Sequence, residues 1–560
     1  MLRNPDLRSA IVLIGLSLLL WAPRFRGPID LRYDAGVYYI LGTSVAEGRG
    51  YRLLNEPGSI EAIQYPPLLP AIVAAHQWAL GTSDPALVSQ WLRGTYFLLY
   101  VLLVLATYAM ARQFLSSGYA VLVASLVTLH TNTYVLSDLL FAEIPFARAT
   151  TLFVLCDRRS DRPWFFLLTA SLGMAAYMLR SAGLALLVAW VAEAMVKRNW
   201  KRVAVRVAVS AVPVLAWQSY IHRVTTSEEY KHPAYAYQRA SYQYYNVGYA
   251  ENVRLVDPFV PELGRATLAC LAKRFALNVG RIPTTTGEAV STTVGYWKWL
   301  LGDIQTKALG EVWIHLRAVY LPVIAFGCLT LAGVGVLLAR REFFVPLYIA
   351  ASSGLICLTP WPGQITRYLA PLAPFLTLSF VLFLASFRDY ARRRGTVNWE
   401  RVGTILPALV LSTVLVGQVY SALRSYKVRH DQGLIHAAEG SVSEGRLFYY
   451  GEGWASFDAS LDWMRRNARP GEVAATSSPH WAYLKTGLKA VMTPMESDVV
   501  KIQLLLDSVP VTYLIIDQLD FIDITRRYAE PCVLKHPDRW KEVYASKDRK
   551  TRIYERAGEN

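Results

Sequence analysis

Three carboxylates and two arginines of this chain sit where apolar segments begin or end. Asp34 lies in LRYDAGVYYILGTSVAEGRGY, just past the first apolar run, among tyrosines and glycines. Asp138 and Glu143 lie in YVLSDLLFAEIPFA, between two later runs. Arg180, in YMLRSAGL, joins two runs, and Arg367, in PGQITRYLAPLAPF, begins another. A carboxylate about one turn into an apolar run, as Glu143 is, is costly without a partner. Acids that can take a proton, beside cations that can hold an anion, suit the displacement of a phosphate leaving group by a hydroxyl. The carboxylate draws off the hydroxyl proton as attack proceeds, and the guanidinium groups stabilise the departing phosphate. A phosphate carried on a membrane lipid would be presented at this same level. Each residue also has an ordinary reading: Asp138 can cap a helix and each arginine can anchor at an interface.

The elements that position these residues are apolar helices. The chain has 560 residues, 53% hydrophobic and only 18% charged. Ser9–Pro23, Trp91–Ala111, Gly118–Leu136, Leu140–Cys156, Trp164–Leu179, Ala182–Val196, Val203–Ile221, Trp313–Ala339, Phe343–Leu358, Tyr368–Phe387 and Val402–Leu423 are near-uncharged. At about 20 residues per span, they predict about eleven transmembrane helices. The net charge of +16 resolves into clusters at Arg158, Arg159 and Arg162, at Lys197, Arg198, Lys201 and Arg202, at Arg340 and Arg341, and from Arg388 to Arg401. With a cytoplasmic N-terminus every cluster falls inside, as the positive-inside rule requires. The basicity is therefore topology, and no nucleic-acid partner is expected. The first run lacks a small-residue cleavage site and reads as a retained anchor. Five scattered cysteines form no metal or disulfide spacing. Two separated carboxylates could still share a divalent cation at a phosphate, although no ligand group has a recognisable metal-site spacing.

Three stretches then lie outside: residues 24–90, residues 222–312, and the tail. In the first, Val37, Leu41 and Val45 recur at helical spacing before Gly48, and PPLLPAIVAAHQWALG forms a second helix, both read as interfacial. The second is dense in tyrosine from Tyr230 to Tyr249, with His232 and Arg239 interleaved, as in an aromatic belt or a sugar-binding wall. Ala266–Gly280 is expected to form another interfacial helix. In the tail, FDASLDWMRRNARPGEVAATSS reads as helix, turn and strand, PVTYLIIDQLD as a buried strand and RKTRIYERA as a closing one. The expected architecture is a polytopic α-helical membrane domain, residues 1–424, followed by a soluble α/β domain, residues 425–560.

YDAGVYYILGTSVAEGRGY, YPPLLPAIVAAHQWALG, LFAEIPFA and RYLAPLAPF, taken in order, resemble the GT-C glycosyltransferases. The likeness is to the bacterial branch that includes protein O-mannosyltransferases and the lipid A aminoarabinose transferase. It implies a GT-C-like fold in the bacterial inner membrane, and inverting transfer of a sugar from a polyprenyl-phosphate donor to a protein, lipid or glycan acceptor at the outer face. Asp34 takes the place of the family's essential Asp, and the EIPF match favours Glu143 over Asp138 as the second acid. Arg180 and Arg367, with Tyr38 and Tyr65, are then the candidates for holding the donor phosphate and lipid. His232, Arg239 and Tyr39 are candidates for the sugar or acceptor. Ala35 stands where many relatives have Glu, and Tyr65 stands where the aminoarabinose branch has Lys. The competing classes are a transporter or flippase of a lipid-linked sugar, for which no internal repeat is visible, and a scaffold that binds through its tail.

Overall fold

The computed structural model describes residues 5–306, 316–436 and 442–557. The chain opens with α1 (Pro5–Trp21), then two helices of the first inter-run segment, α2 (Asp34–Ala46) and α3 (Leu68–Leu80). Gly81, at φ 65°, closes α3 with a left-handed cap. α4 (Pro85–Ala111) starts on an Asp84 cap, whose carboxylate accepts from the Ala86 N–H at 3.1 Å.

The predicted run Gly118–Leu136 is not one helix. It breaks at His130, whose ψ of 128° leaves the helical region, into α5 (Ser117–Leu129) and α6 (Thr131–Leu136). Then come α7 (Glu143–Asp157), α8 (Pro163–Leu179), α9 (Gly183–Val196) and α10 (Trp200–Thr225). The segment from 222 to 306 carries two short helices, α11 (Glu228–Lys231) and α12 (Tyr249–Val253), and two longer ones, α13 (Leu268–Val290) and α14 (Val294–Ile304). The start of the predicted run at Trp313 lies outside the described residues, and its helix is α15 (Tyr320–Ala339). α16 (Phe344–Cys357) follows. The run expected over Tyr368–Phe387 is divided into α17 (Ile365–Leu369), a tight turn and α18 (Ala373–Arg393), because Pro371 and Pro374 lack the N–H that a continuous helix needs.

Among the described residues, six helices are long and apolar enough to cross a bilayer: Pro5–Arg24, Pro85–Ala111, Trp200–Thr225, Arg317–Ala339, Pro362–Arg393 and Val397–Gln432. Five shorter apolar helices accompany them, so the full-length candidates are fewer than the eleven spans expected. Glycines set the packing. A Cβ on Gly287 of α13 would overlap the Val323 carbonyl, and one on Gly327 of α15 would overlap the Pro283 carbonyl, so these two backbones touch. α13 is therefore longer than the Ala266–Gly280 helix expected, and its second half packs against α15.

The helix α19 (Val397–Gln432) has 36 residues and runs unbroken past residue 425, so a boundary at 424/425 falls inside it. It leads into a hairpin of β1 (Leu434–His436) and β2 (Val442–Arg446), then α20 (Glu452–Asn467). The α/β domain holds β3 (Val473–Thr476), α21 (Pro479–Thr486), β4 (Lys489–Met492), α22 (Val499–Asp507), β5 (Tyr513–Ile516), α23 (Glu530–Lys535), β6 (Trp540–Ala545) and β7 (Arg552–Arg556). Its sheet order is β4-β3-β5-β7-β6, with β3 parallel to β4 and β5, and β7 antiparallel to β5 and β6. The strands read as predicted from VAAT, YLII and RIYER. β3 and β5 are buried on both faces, as expected of parallel strands covered by helices.

Candidate functional site

Two distant stretches are tied together before any side chain is considered. The Asp30 N–H donates to the Asp138 carbonyl at 3.0 Å, and the Leu140 N–H donates to the Asp30 carbonyl at 3.1 Å, forming an isolated parallel bridge. Four residues beyond Asp30, Asp34 begins α2; three residues beyond Leu140, Glu143 begins α7. A short backbone clamp thus places two carboxylates side by side, each in the first turn of a helix, where the helix dipole favours negative charge.

The two cations arrive from elsewhere. Arg180 caps the end of α8, and Arg367 sits in α17. Arg367 bridges the acids: its Nη2 donates to Asp34 Oδ2 at 2.7 Å and its Nε to Glu143 Oε1 at 2.8 Å. Its guanidinium lies over the Phe141 ring, 4.2 Å from the centroid. Arg180 Nη1 approaches the same Glu143 oxygen at 2.7 Å as an ion pair, with its N–H not aimed along the line. The four charges cancel. Glu143 is sealed, with 2% of its side chain exposed, whereas Asp34 keeps 20%, so only Asp34 remains within reach of an incoming group.

Tyrosines close around Asp34. The Tyr245 hydroxyl donates to Asp34 Oδ1 at 3.3 Å. The Tyr38 and Tyr65 rings lie 4.8 Å apart, and burial, together with the negative charge of Asp34, pushes both phenols well above their ordinary range. Both remain neutral hydrogen-bonding groups. Arg367 is held in turn through its neighbour. The Thr366 hydroxyl donates to Glu288 Oε2 at 2.9 Å, and Glu288 Oε1 accepts from the Val294 N–H at 2.8 Å, capping α14.

The other candidates lie apart from this cluster. Asp138 is 1% exposed, 3.0 Å from Arg93 Nη2 and 4.0 Å from Arg429 Nε; it pairs with neither Arg180 nor Arg367. Tyr39 is buried and donates to the Ser83 carbonyl at 2.8 Å, tying α2 to the start of α4. Arg239 points inward, donating to the carbonyls of Asn246 and Glu61 and lying over the Tyr230 ring, so it braces its own loop. His232 is exposed beside Glu228. The sequence reading missed Tyr245 and Glu288. Tyr245 was hidden among other tyrosines, and nothing in the spacing of Glu288 relates it to Thr366, 78 residues away.

Among the described residues no group of three His, Cys, Asp or Glu side chains could hold a metal. Asp34 and Glu143 share the Arg367 guanidinium between them.

Neither a protein-family model nor a curated protein sequence matches the chain. Solved structures do. The chain is similar to the archaeal oligosaccharyltransferase AglB from Archaeoglobus fulgidus, solved with an inhibitory peptide and a dolichol-phosphate, at a TM-score of 0.54 and 12% identity, covering 99% of this chain and 74% of that one. A structure of the A. fulgidus oligosaccharyltransferase with Zn and sulfate gives 0.53 and 13%, covering 91% and 67%. ArnT from Cupriavidus metallidurans, bound to undecaprenyl phosphate, gives 0.52 and 11%, and here 97% of each chain is covered. The chain has the fold of the GT-C glycosyltransferases.

Proposed function

We propose that the protein transfers a sugar from a polyprenyl-phosphate donor to a hydroxyl-bearing acceptor at the outer face of the bacterial inner membrane, with inversion. The observation that carries this is the accessible Asp34 carboxylate joined to a buried acid through Arg367. The lipid phosphates in the AglB and ArnT structures support a lipid-linked donor.

In this reading, Asp34 takes the acceptor proton while the acceptor oxygen attacks the anomeric carbon from the face opposite the phosphate. The bond from that carbon to the phosphate oxygen breaks, and its electron pair leaves with the lipid phosphate. Arg180 and Arg367 receive the charge that develops there. A guanidinium has five N–H donors, and Arg367 gives two to the carboxylates. Glu143, out of reach of substrate, orients the two arginines. Tyr38 and Tyr65 line the approach as neutral donors.

The test is a transfer assay on the full chain in lipid, with labelled polyprenyl-phosphate sugars and crude envelope acceptors, run beside Asp34→Asn. Label moved only by the wild type supports the reading. Label moved equally by Asp34→Asn would sink it.

A further inference from the structure

Both sides of Asp34 are gripped by the C-terminal domain. On one side is Tyr33, whose φ of 58° and ψ of −138° put a non-glycine residue in a rarely adopted backbone region. Such a conformation persists only where surroundings enforce it. Here the Tyr33 ring meets Trp454 of α20 at 5.3 Å and Phe521, beyond β5, at 5.0 Å, both edge-on, and those two rings stack on each other at 5.8 Å. Next to it Arg32, fully buried, pairs with Asp30 and donates to the Phe448 and Tyr449 carbonyls at 2.8 and 3.2 Å.

On the other side is His480, in the first turn of α21 at the carboxyl end of β3. It is 2% exposed and, among the described residues, neither ring nitrogen has a hydrogen-bond partner. Its ring meets Tyr245 at 4.4 Å and 78°, and Tyr245 is the residue whose hydroxyl donates to Asp34. Gly36, two residues after Asp34, packs closely here: a Cβ on it would stand 3.0 Å from the His480 Cβ and 3.2 Å from the Leu31 carbonyl. The neighbouring Trp481 fixes α21 by donating from Nε1 to Asp458 at 2.6 Å. A buried imidazole with both nitrogens unsatisfied is costly. What this one supplies in return is a wedge against Tyr245.

We propose that the C-terminal domain positions the Asp34 carboxylate, with His480 as a positioning residue that acts through Tyr245, and Trp454 and Phe521 acting through Tyr33. This rests on reading Asp34 as the base, and it gives the tail a task within the site. Burial drives the His480 imidazole down to about 3, so it adds no charge beside Asp34 and works by shape.

The test uses the full chain in lipid, with His480→Ala, His480→Phe, Tyr245→Phe and the His480→Ala/Tyr245→Phe double variant. His480→Ala and Tyr245→Phe should each lower kcat about tenfold with the donor KM unchanged, as expected when a group is lost that acts in the transition state. The double variant should be no worse than Tyr245→Phe alone, since both act along one path. His480→Phe, which keeps a ring against Tyr245, should restore most of the rate. A readout independent of activity is the rate at which a carbodiimide modifies Asp34 at fixed pH, followed by peptide mass spectrometry. It should rise several-fold in His480→Ala and stay at the wild-type value in His480→Phe. Additive losses, or an unchanged modification rate in His480→Ala, would overturn the proposal. A wild type that transfers no sugar would remove the functional reading, and the modification rates would still decide whether His480 positions Asp34.

Discussion

Arg367 Nη2 lies 2.7 Å from Asp34 Oδ2, and the two residues are 333 positions apart in the chain. The contact joins the first helix after α1 to the short helix that precedes α18, so the site exists only once nearly the whole apolar domain has assembled. It also orients one Asp34 oxygen, leaving Oδ1 to Tyr245 and the incoming group.

Asp34→Asn keeps the size of the side chain and an oxygen for Arg367, but removes the base. Transfer should fall by about 10²–10⁴-fold, the usual worth of general-base catalysis. Size-exclusion profile and melting temperature should stay near those of wild type. A variant that is inactive and also aggregated would show a structural role instead.

Glu143→Gln acts differently. It leaves Arg180 and Arg367 without their buried counter-charge, and breaking such a pair from one side costs about 3 kcal/mol or more. The two arginines keep 19% and 25% of their side chains exposed, which tempers that figure. The expected outcome is a lower melting temperature together with lost transfer, measured by thermal scanning in detergent. Asp34→Asn should not show that combined signature.

Gly327→Val should separate α13 from α15, because the new Cβ has the Pro283 carbonyl in its way and neither backbone can yield locally. Overpacking of this kind costs about 1–3 kcal/mol. Gly335, on the same helix, has no described atom within 4 Å of where a Cβ would stand, and Gly335→Ala should raise the melting temperature slightly, as alanine does for an unobstructed helix glycine. Comparing the two in one thermal series isolates backbone contact from any loss of glycine flexibility.

Asp517 should contribute more to the stability of the C-terminal domain in mild acid than at neutral pH. His480 pulls the opposite way, since its ring stays neutral when folded and takes a proton when unfolded. Asp517 is fully buried at the end of β5, and burial raises it to about 7, even though the Ser477 hydroxyl donates to its carboxyl oxygens at 2.9 Å. The folded state therefore holds a proton that the unfolded chain releases near pH 4. Stability from this source is complete below about pH 4, declines as pH rises, and is gone above about pH 7. Its span is on the order of 4 kcal/mol. Asp517→Asn should remove this contribution, so from pH 8 to pH 5 the wild type should gain stability relative to the variant. Unfolding of the wild type and this variant at pH 5 and pH 8, followed by a probe in the C-terminal domain, checks the sign.

The sequence showed what depends on local pattern. Apolar runs became helices, and VAAT, YLII and RIYER became strands, because periodicity and burial are written in neighbouring residues. The breaks were harder to see. His130 interrupts the run at the polar stretch HTNT, with no proline or glycine there, and its Nε2 pairs with the Glu288 carbonyl, 158 residues away. The arginines at the site were legible as charges at segment ends, but Arg239 looked equally available and turns out to brace its own loop. Asp138 and Glu143 differ by five positions; which of them meets Arg367 follows from the Asp30–Leu139 bridge, a tertiary contact that no spacing encodes. The same holds for the grip of the tail on Tyr33 and Tyr245.

The length of α19 has a mechanical consequence. At 1.5 Å per residue its 36 residues span about 54 Å, against about 30 Å for a hydrocarbon core. Its last turns are locked, with Arg429 donating to the Pro23 and Arg446 carbonyls. The domain is thus carried on a rigid mast instead of a slack tether, and the height of its rings above Asp34 is set by a count of residues. Adding one turn to that mast would lift the domain by about 5.4 Å, more than the reach of any hydrogen bond that now surrounds Asp34.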